Sequence, residues 1–466
     1  MPVPASIFRE YDVRGVAGTE ILPDTAAAIG RAYAVLLADR GVSGPILVGR
    51  DNRPSGTALR DALVEALLAS GVSVVDVGVI PTPAMYWSLR DESILGGALP
   101  AGGIQVTASH NPPEYNGFKI CVGTHALAGD AIQELLHIHE QGRTVGGARG
   151  VRSTNDPIPR YVDDMATRLG RVKNPIRVIL DGANGSGAGA MTALLDRMGV
   201  DYRCLFCESD GTFPNHLPDP SVAANLAQLS AAVRDSQATN APAAFGIAID
   251  GDADRLGVVG PDGAMVWGDR VLVLFARDIL PRHPGAPVIY DVKCSDALGE
   301  AITRAGGVPT MSQTGHSLIE ARMNELHAPL AGELSGHMYI ADGWHGFDDG
   351  IYSAGRLIAI VAAAGASLGS LLADVPEYPS TPEIRVACPD DRKFEIVKAT
   401  VAHFAAAHPV ETVDGARVGF GDGWGLVRAS NTQPALSMRF EARSEARLAE
   451  IRGEMEGWLR AQGVVL

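Results

Sequence analysis

Ser109 stands in the run Val106-Thr107-Ala108-Ser109-His110-Asn111-Pro112-Pro113, with Lys119 a short distance downstream. Asn111-Pro112-Pro113 cannot continue a helix, because proline lacks an N–H and restricts the residue before it. The serine therefore sits on a sharp turn. Its hydroxyl points off the backbone, where it can meet a substrate or a metal. His110 and Lys119 are placed to handle a proton or to steady a phosphate. A surface turn with a capping serine would carry the same Ser-His pair, so the weight of the reading falls on the other segments.

Three carboxylates alternate at Asp250, Asp252 and Asp254, spaced by Gly251 and Ala253 and followed by Arg255. Alternate side chains converge when such a backbone is extended or curls around one point. Charges this close repel strongly unless a cation sits among them. Hard oxygen donors in this number suit Mg²⁺, with positions left for a phosphate oxygen or water. An EF-hand is excluded, because the later Gly and Glu of that loop are out of register.

Two further segments carry polar groups in a pattern. Glu333, Ser335 and His337 alternate in Gly332-Glu333-Leu334-Ser335-Gly336-His337. An extended segment would put all three on one side. A carboxylate and a hydroxyl there can bind two adjacent sugar hydroxyls. Near the C-terminal end, Arg428 precedes Ser430, Asn431 and Thr432. Its guanidinium can grip a phosphate through two parallel hydrogen bonds. The hydroxyls add donors, and a turn here would aim backbone N–H groups inward.

The elements that must position these groups recur along the chain. An apolar strand at 46–48 leads into a polar loop at 51–57, a helical pattern at 59–70 and a second strand at 74–77. The same order returns from 177 and again from 288. Continuous apolar strands alternating with helices predict largely parallel sheets covered on both faces. Three widely spaced copies predict three similar α/β domains rather than a solenoid. The polar loops then fall at the carboxyl ends of the strands, where ligands bind in such sheets. The rest of the chain, with strands at 383–386 and 436–440 and helices at 392–407 and 445–462, predicts a smaller α+β domain. The expected divisions are residues 1–150, 151–260, 261–372 and 373–466.

The pattern Thr-Ala-Ser109-His110-Asn-Pro-x-x-x-Asn-Gly-x-Lys119 resembles the active-site serine loop of the α-D-phosphohexomutases, and the other segments follow in that family's order. In that family the serine carries a phosphoryl group and hands it to a sugar phosphate. The resemblance implies four domains around a central cleft, each contributing one loop. It implies Asp250, Asp252 and Asp254 as Mg²⁺ ligands, Ser109 on the same ion, and Arg255 as a neighbouring substrate contact. Residues 332–337 are similar to the family's sugar-reading loop, and Arg428, Ser430, Asn431 and Thr432 to its phosphate loop. The segment Phe8-Arg9-Glu10-Tyr11-Asp12-Val13-Arg14-Gly15 is similar to a cleft-lining segment, implying contacts from Tyr11 and Arg14. Lys293 and His316 lie in further segments of this kind. Proton transfer stays open among His110, Lys119 and His337.

The activity so implied is reversible phosphoryl transfer between carbons 1 and 6 of a hexose phosphate, through a hexose 1,6-bisphosphate. Leu334 in the sugar loop and Arg428-Ala429-Ser430-Asn431-Thr432-Gln433-Pro434 in the phosphate loop depart from the phosphoglucosamine mutase pattern. Both departures point to the phosphomannomutase/phosphoglucomutase branch, with phosphoglucosamine mutase as the alternative. A phosphatase would also cluster aspartates, but usually around an aspartate nucleophile. A non-catalytic sugar-phosphate binder would lack the nucleophile, which is present here.

A net charge of −15 argues against nucleic acid and anionic membranes as partners. The apolar stretch at 357–372 is interrupted by Gly365, Ser367, Gly369 and Ser370, and reads as a packed helix followed by a new helix start. Five scattered cysteines suit a reducing compartment. Cys204 and Cys207 form a lone C-x-x-C on an expected strand over 202–207. The expectation is a cytoplasmic enzyme, monomeric or weakly dimeric, acting on a hexose phosphate.

Overall fold

The computed structural model describes residues 3–430 and 434–466. The chain forms two compact units: Met1–Phe275 with Ser335–Leu371, and Ala276–Leu334 with Leu372–Leu466.

The first unit holds two mixed sheets. One runs in the order Val13–Val16, Tyr115–Val122, Gly102–Val106, Ile46–Arg50, Val74–Val79, Arg152–Thr154, with His125–Ala126 beside Tyr115–Val122. Its strands from Gly102–Val106 through Arg152–Thr154 are parallel, whereas Tyr115–Val122 is antiparallel to Val13–Val16, Gly102–Val106 and His125–Ala126. The helices Pro23–Asp39 and Gly56–Ala69 pack on each other, and Ile46, Leu47 and Val48 are fully buried between layers. Burial on both faces explains the unbroken apolar run that marks this strand in the sequence.

The second sheet has the order Met265–Val266, Leu256–Val259, Phe245–Ile249, Arg177–Asp181, Asp201–Leu205. Phe245–Ile249, Arg177–Asp181 and Asp201–Leu205 are parallel, and Leu256–Val259 returns antiparallel. The serine loop and the aspartate loop thus join antiparallel pairs, Gly102–Val106 with Tyr115–Val122 and Phe245–Ile249 with Leu256–Val259. Each hairpin projects its loop from the carboxyl end of a buried strand.

In the second unit, Val308–Ser312, Pro287–Asp291 and Leu330–Gly332 are parallel. A five-stranded antiparallel sheet follows: Ile384–Ala387, Ala435–Ala442, Gly423–Ala429, Ala416–Gly419, Val410–Glu411. Val427, Leu436, Met438 and Phe440 meet Ile451, Met455 and Leu459 of the helix Glu445–Ala461 on one face. Trp424 and Leu426 point the other way, against Val292. The two-residue period of a strand puts Arg428 on that same face.

The expected elements appear with ends shifted by a residue or a few. The apolar stretch after Leu357 divides as anticipated into Gly350–Ala364 and Leu368–Leu372, with Gly365 at φ 60° closing the first helix. No helix among the described residues is long and apolar enough to cross a membrane. Two local expectations need correction. The strand expected over 202–207 stops at Leu205, because Phe206 turns into the left-handed region at φ 52° and brings Cys204 and Cys207 together as a disulfide. Cys121, Cys294 and Cys388 are buried and outside that disulfide. The segment 332–337 is not extended throughout either: it turns at Leu334–Ser335 and bends at Gly336, whose φ is 98°. The carbonyl of Leu256 lies where a side chain at Gly336 would begin, so only glycine fits.

Candidate active site

Ser109 follows the buried strand Gly102–Val106 and adopts φ 51°, a left-handed conformation that a non-glycine residue takes only when its surroundings enforce it. Its N–H donates to Thr107 Oγ1 at 2.9 Å, and its hydroxyl donates to Asp250 Oδ2 at 2.8 Å. His110 Nδ1 lies 3.1 Å from the same hydroxyl. Burial, reinforced by the positive charges of Arg255 and Arg14, pushes the His110 imidazole well below its ordinary pKa. His110 is therefore neutral at neutral pH, and a neutral ring can accept a proton. Arg14 sits on Val13–Val16, paired opposite Gly117, and reaches Asn111 Oδ1 at 3.3 Å and Asp12 at 2.5 Å. Tyr11 is half-buried just before that strand.

Asp250, Asp252 and Asp254 are all fully buried, and one carboxylate oxygen from each lies within 4.8 Å of the others. The curl is made by Ala253 at φ 63° and by Gly251, where a β-carbon would stand 2.6 Å from the Ser109 carbonyl. Glycine thus lets the aspartate loop close onto the serine loop. Asp252 Oδ1 and Asp254 Oδ1 are buried without a hydrogen-bond partner among the described residues. Orphaned carboxylate oxygens in this setting, with a serine hydroxyl beside Asp250, are the donor set of a hard divalent cation. The residues fit a metal.

Lys119 comes from Tyr115–Val122 and ion-pairs with Asp252 at 3.1 Å and with Asp254. Burial alone would lower its pKa, but Asp252, Asp254 and Asp348 outweigh it and keep the ammonium charged. Asp250 is pushed up by burial and by its neighbours Asp254 and Asp252. Asp254 goes the opposite way: burial opposes ionisation, yet Lys119, His337 and Arg255 together hold it ionised.

Arg255 donates from Nε to His337 Nε2 at 2.9 Å. A ring nitrogen that accepts carries no hydrogen, so this contact suits the His337 tautomer with its hydrogen on Nδ1 whenever the ring is neutral. Nδ1 lies 3.0 Å from Asp348 and 3.7 Å from Asp254. The isolated bridge between Arg255 and His337 holds this geometry. The first unit thus brings together Ser109, His110, Lys119, the three aspartates, Arg255, His337 and Arg14. Ser335 belongs to this unit as well.

The second unit carries the remaining described candidates. Glu333 is buried just after Leu330–Gly332. Lys293 Nζ lies 3.3 Å from Asp291, and its carbonyl accepts from Arg439. His316 is buried at the start of the helix His316–Leu326. Arg428 pairs with Asp414 at 2.8 Å, and Asp414 also accepts from the Thr314 N–H at 3.0 Å. The Ser430 N–H donates to the Ala435 carbonyl at 2.9 Å, and Lys393 Nζ reaches the Ser430 carbonyl at 2.6 Å. Asn431 and Thr432 lie outside the described residues.

Sequence reasoning missed several partners. Thr82 and Thr107 place hydroxyls 2.6 Å and 3.2 Å from Asp252, and Asp51 and Arg53 lie directly behind the serine loop. Asp51 had a signal, its place immediately after the strand Ile46–Arg50. Thr107 stood in the serine-loop pattern without a role assigned to it, and Thr82 had no signal, because a buried threonine looks like any β-former.

The comparisons agree with this assembly. The domains described as Phosphoglucomutase/phosphomannomutase, alpha/beta/alpha domain I, II and III match residues 5–144, 159–263 and 267–378, and the C-terminal domain matches 383–457. The chain is 42% identical over 458 residues to a phosphoglucomutase of Neisseria gonorrhoeae, covering 97% of this chain and 96% of that one. It is 42% identical to a phosphomannomutase/phosphoglucomutase of Pseudomonas aeruginosa, covering 98% and 96%. A solved structure of a phosphoglucomutase/phosphomannomutase family protein from Burkholderia thailandensis superposes with a TM-score of 0.91 at 40% identity, covering 98% of each chain. With the serine and aspartate loops meeting in one unit and all four domains matched in order, the chain belongs to the phosphoglucomutase/phosphomannomutase family.

Proposed function

We propose that this protein interconverts the 1-phosphates and 6-phosphates of mannose and glucose, with Ser109 as the phosphoryl carrier and a hexose 1,6-bisphosphate as intermediate and activator. The observation that carries the reading is the contact of the Ser109 hydroxyl with Asp250 at 2.8 Å, beside an aspartate cluster that Lys119 only partly neutralises. Phosphoryl transfer depends mainly on positioning and charge neutralisation. Asp250, Asp252 and Asp254 would hold Mg²⁺, which when bound neutralises charge on the phosphoryl oxygens.

The free hydroxyl of the sugar attacks the phosphorus on Ser109. The bond from phosphorus to the serine oxygen breaks, leaving the bisphosphate. After the sugar turns end for end, Ser109 takes the other phosphoryl group. Lys119, His110 and His337 are the proton-handling groups in this reading. Glu333 and Ser335 bind the hydroxyls at carbons 3 and 4. Arg428, Ser430, Asn431 and Thr432 bind the non-reacting phosphate, with Tyr11, Arg14, Arg255, Lys293 and His316 as further contacts. The acidic surface suits a cytoplasmic enzyme without nucleic-acid or membrane partners, working as a monomer or weak dimer.

Mannose and glucose differ only at carbon 2, which a loop reading carbons 3 and 4 does not sense. Mannose 1-phosphate and glucose 1-phosphate should therefore be converted with comparable kcat/KM. Side-by-side kinetics on the 1-phosphates of mannose, glucose and glucosamine test this. A clear preference for glucosamine 1-phosphate would transfer the enzyme to the phosphoglucosamine branch. Net release of phosphate would mark a phosphatase.

A further inference from the structure

We infer that Arg53 and Thr107 are paired positioning residues that grip Ser109 from either side and hold its hydroxyl in line for transfer; the inference rests on the phosphoserine reading above. The loop that carries Ser109 contains Pro112 and Pro113, which have no N–H to offer. Its own N–H groups reach the carbonyls of Ala108 and Pro112, and one guanidinium binds four carbonyls of the loop at once. Arg53 donates from Nη2 to the carbonyls of Ser109 at 2.8 Å and Asn111 at 2.6 Å, and from Nη1 to those of Pro112 at 2.5 Å and Tyr115 at 3.2 Å. Its Nε donates to Asp51 Oδ2 at 3.0 Å. All five N–H bonds of the fork are used, four of them on the serine loop.

The side chain is fully buried and stacks over the ring of Phe213, 5.0 Å from its centroid. Among the described residues its hydrogen bonds go to the loop carbonyls and to Asp51, so its work is on the backbone. The opposite side of Ser109 is held by Thr107, whose Oγ1 accepts the serine N–H at 2.9 Å and lies 2.8 Å from Asp51 Oδ2. Asp51 thereby joins both grips. The left-handed backbone of Ser109 is thus fixed at its N–H and at its carbonyl, which is the over-determination that such a conformation requires.

The test uses Arg53→Lys and Thr107→Val in the full chain. Lysine keeps the charge opposite Asp51 and so protects folding, but it offers only three donors from a point charge. Arg53→Ala is the wrong probe, since it would leave Asp51 buried and unpaired. For Arg53→Lys we expect kcat per folded molecule to fall about 10- to 100-fold, because a misplaced nucleophile loses alignment. KM for glucose 1-phosphate should stay within about twofold, because no ground-state contact is removed. Thr107→Val should show the same kcat-selective loss, and Thr107→Ser should restore most of it. Amide exchange at 107–116 should accelerate in both impaired variants. Wild-type kcat per folded molecule in either Arg53→Lys or Thr107→Val, with unchanged exchange, overturns the inference. A wild-type protein inactive on every hexose 1-phosphate defeats the phosphoserine reading instead, and the exchange comparison then still decides whether the grip exists.

Discussion

At the scale of the residue, the site combines groups whose charges would be unfavourable apart. Three buried aspartates lie beside Lys119 and Arg255, whose charges offset part of their mutual repulsion. Ser109→Ala removes the proposed carrier oxygen but little packing. We expect a folded protein, by circular dichroism and thermal melting, with turnover essentially abolished even when bisphosphate is supplied. Intact-mass measurement before and after phosphatase should show a phosphoryl group on the wild type and none on the variant. Asp252→Asn removes a charge while keeping the shape that Thr82 and Lys119 contact. Mg²⁺ affinity should weaken about 10-fold or more in titration calorimetry, and chelation should stop wild-type turnover until Mg²⁺ is restored. Full activity after exhaustive chelation would remove the metal from the mechanism.

At the scale of the element, what matters is how neighbouring strands are pinned. Glu383 precedes the edge strand Ile384–Ala387 and accepts from Ser437 Oγ of the adjoining strand at 2.6 Å. Burial pushes its carboxyl up, but Lys293, Arg385 and the Ser437 hydroxyl outweigh that and hold it down to about 2. A folded pKa below the unfolded one means that the unfolded chain binds the proton more readily. The contribution is then fully present above about pH 4.5, and it is lost as the pH falls through about 2. Its size is roughly 1–2 kcal/mol once partial solvent screening is allowed for. Urea unfolding of the wild type and Glu383→Gln at pH 7 and near pH 3 checks the sign. The two should differ at pH 7 and the gap should narrow near pH 3, and a gap that widens in acid would contradict the assignment.

At the scale of the whole molecule, a reaction that runs in both directions needs one anchor for two phosphates. Arg428 is buried on the face of its strand shared with Trp424 and Leu426, already oriented by Asp414. Arg428→Lys replaces the rigid fork with a point charge and should cost on the order of 2 kcal/mol in kcat/KM. The loss should be similar for 1-phosphate and 6-phosphate substrates, since in the proposed mechanism each presents its non-reacting phosphate to the same anchor. A loss confined to one direction, beyond what the overall equilibrium requires, would mean that two anchors exist.

Much of this protein is determined by its sequence alone. The repeated strand, loop and helix order was legible because a strand buried on both faces must be a continuous apolar run, as at Ile46, Leu47 and Val48. Ser109 and the alternating aspartates were legible because proline and glycine force local geometry, and clustered charge demands a counter-ion. Tertiary structure alone decided the rest. Arg53 lies 56 residues from the Ser109 carbonyl it holds, and Thr82 lies 170 residues from Asp252, so no local spacing could reveal either pairing. The contact that His337 Nε2 makes depends on Arg255 arriving from the end of the aspartate loop. The bend at Gly336 follows from the Leu256 carbonyl pressed against it, a contact that the period of a strand does not encode. Short-range order follows from what each residue can do with its own backbone, whereas the hydrogen bonds that aim the site are made between segments that meet only after folding.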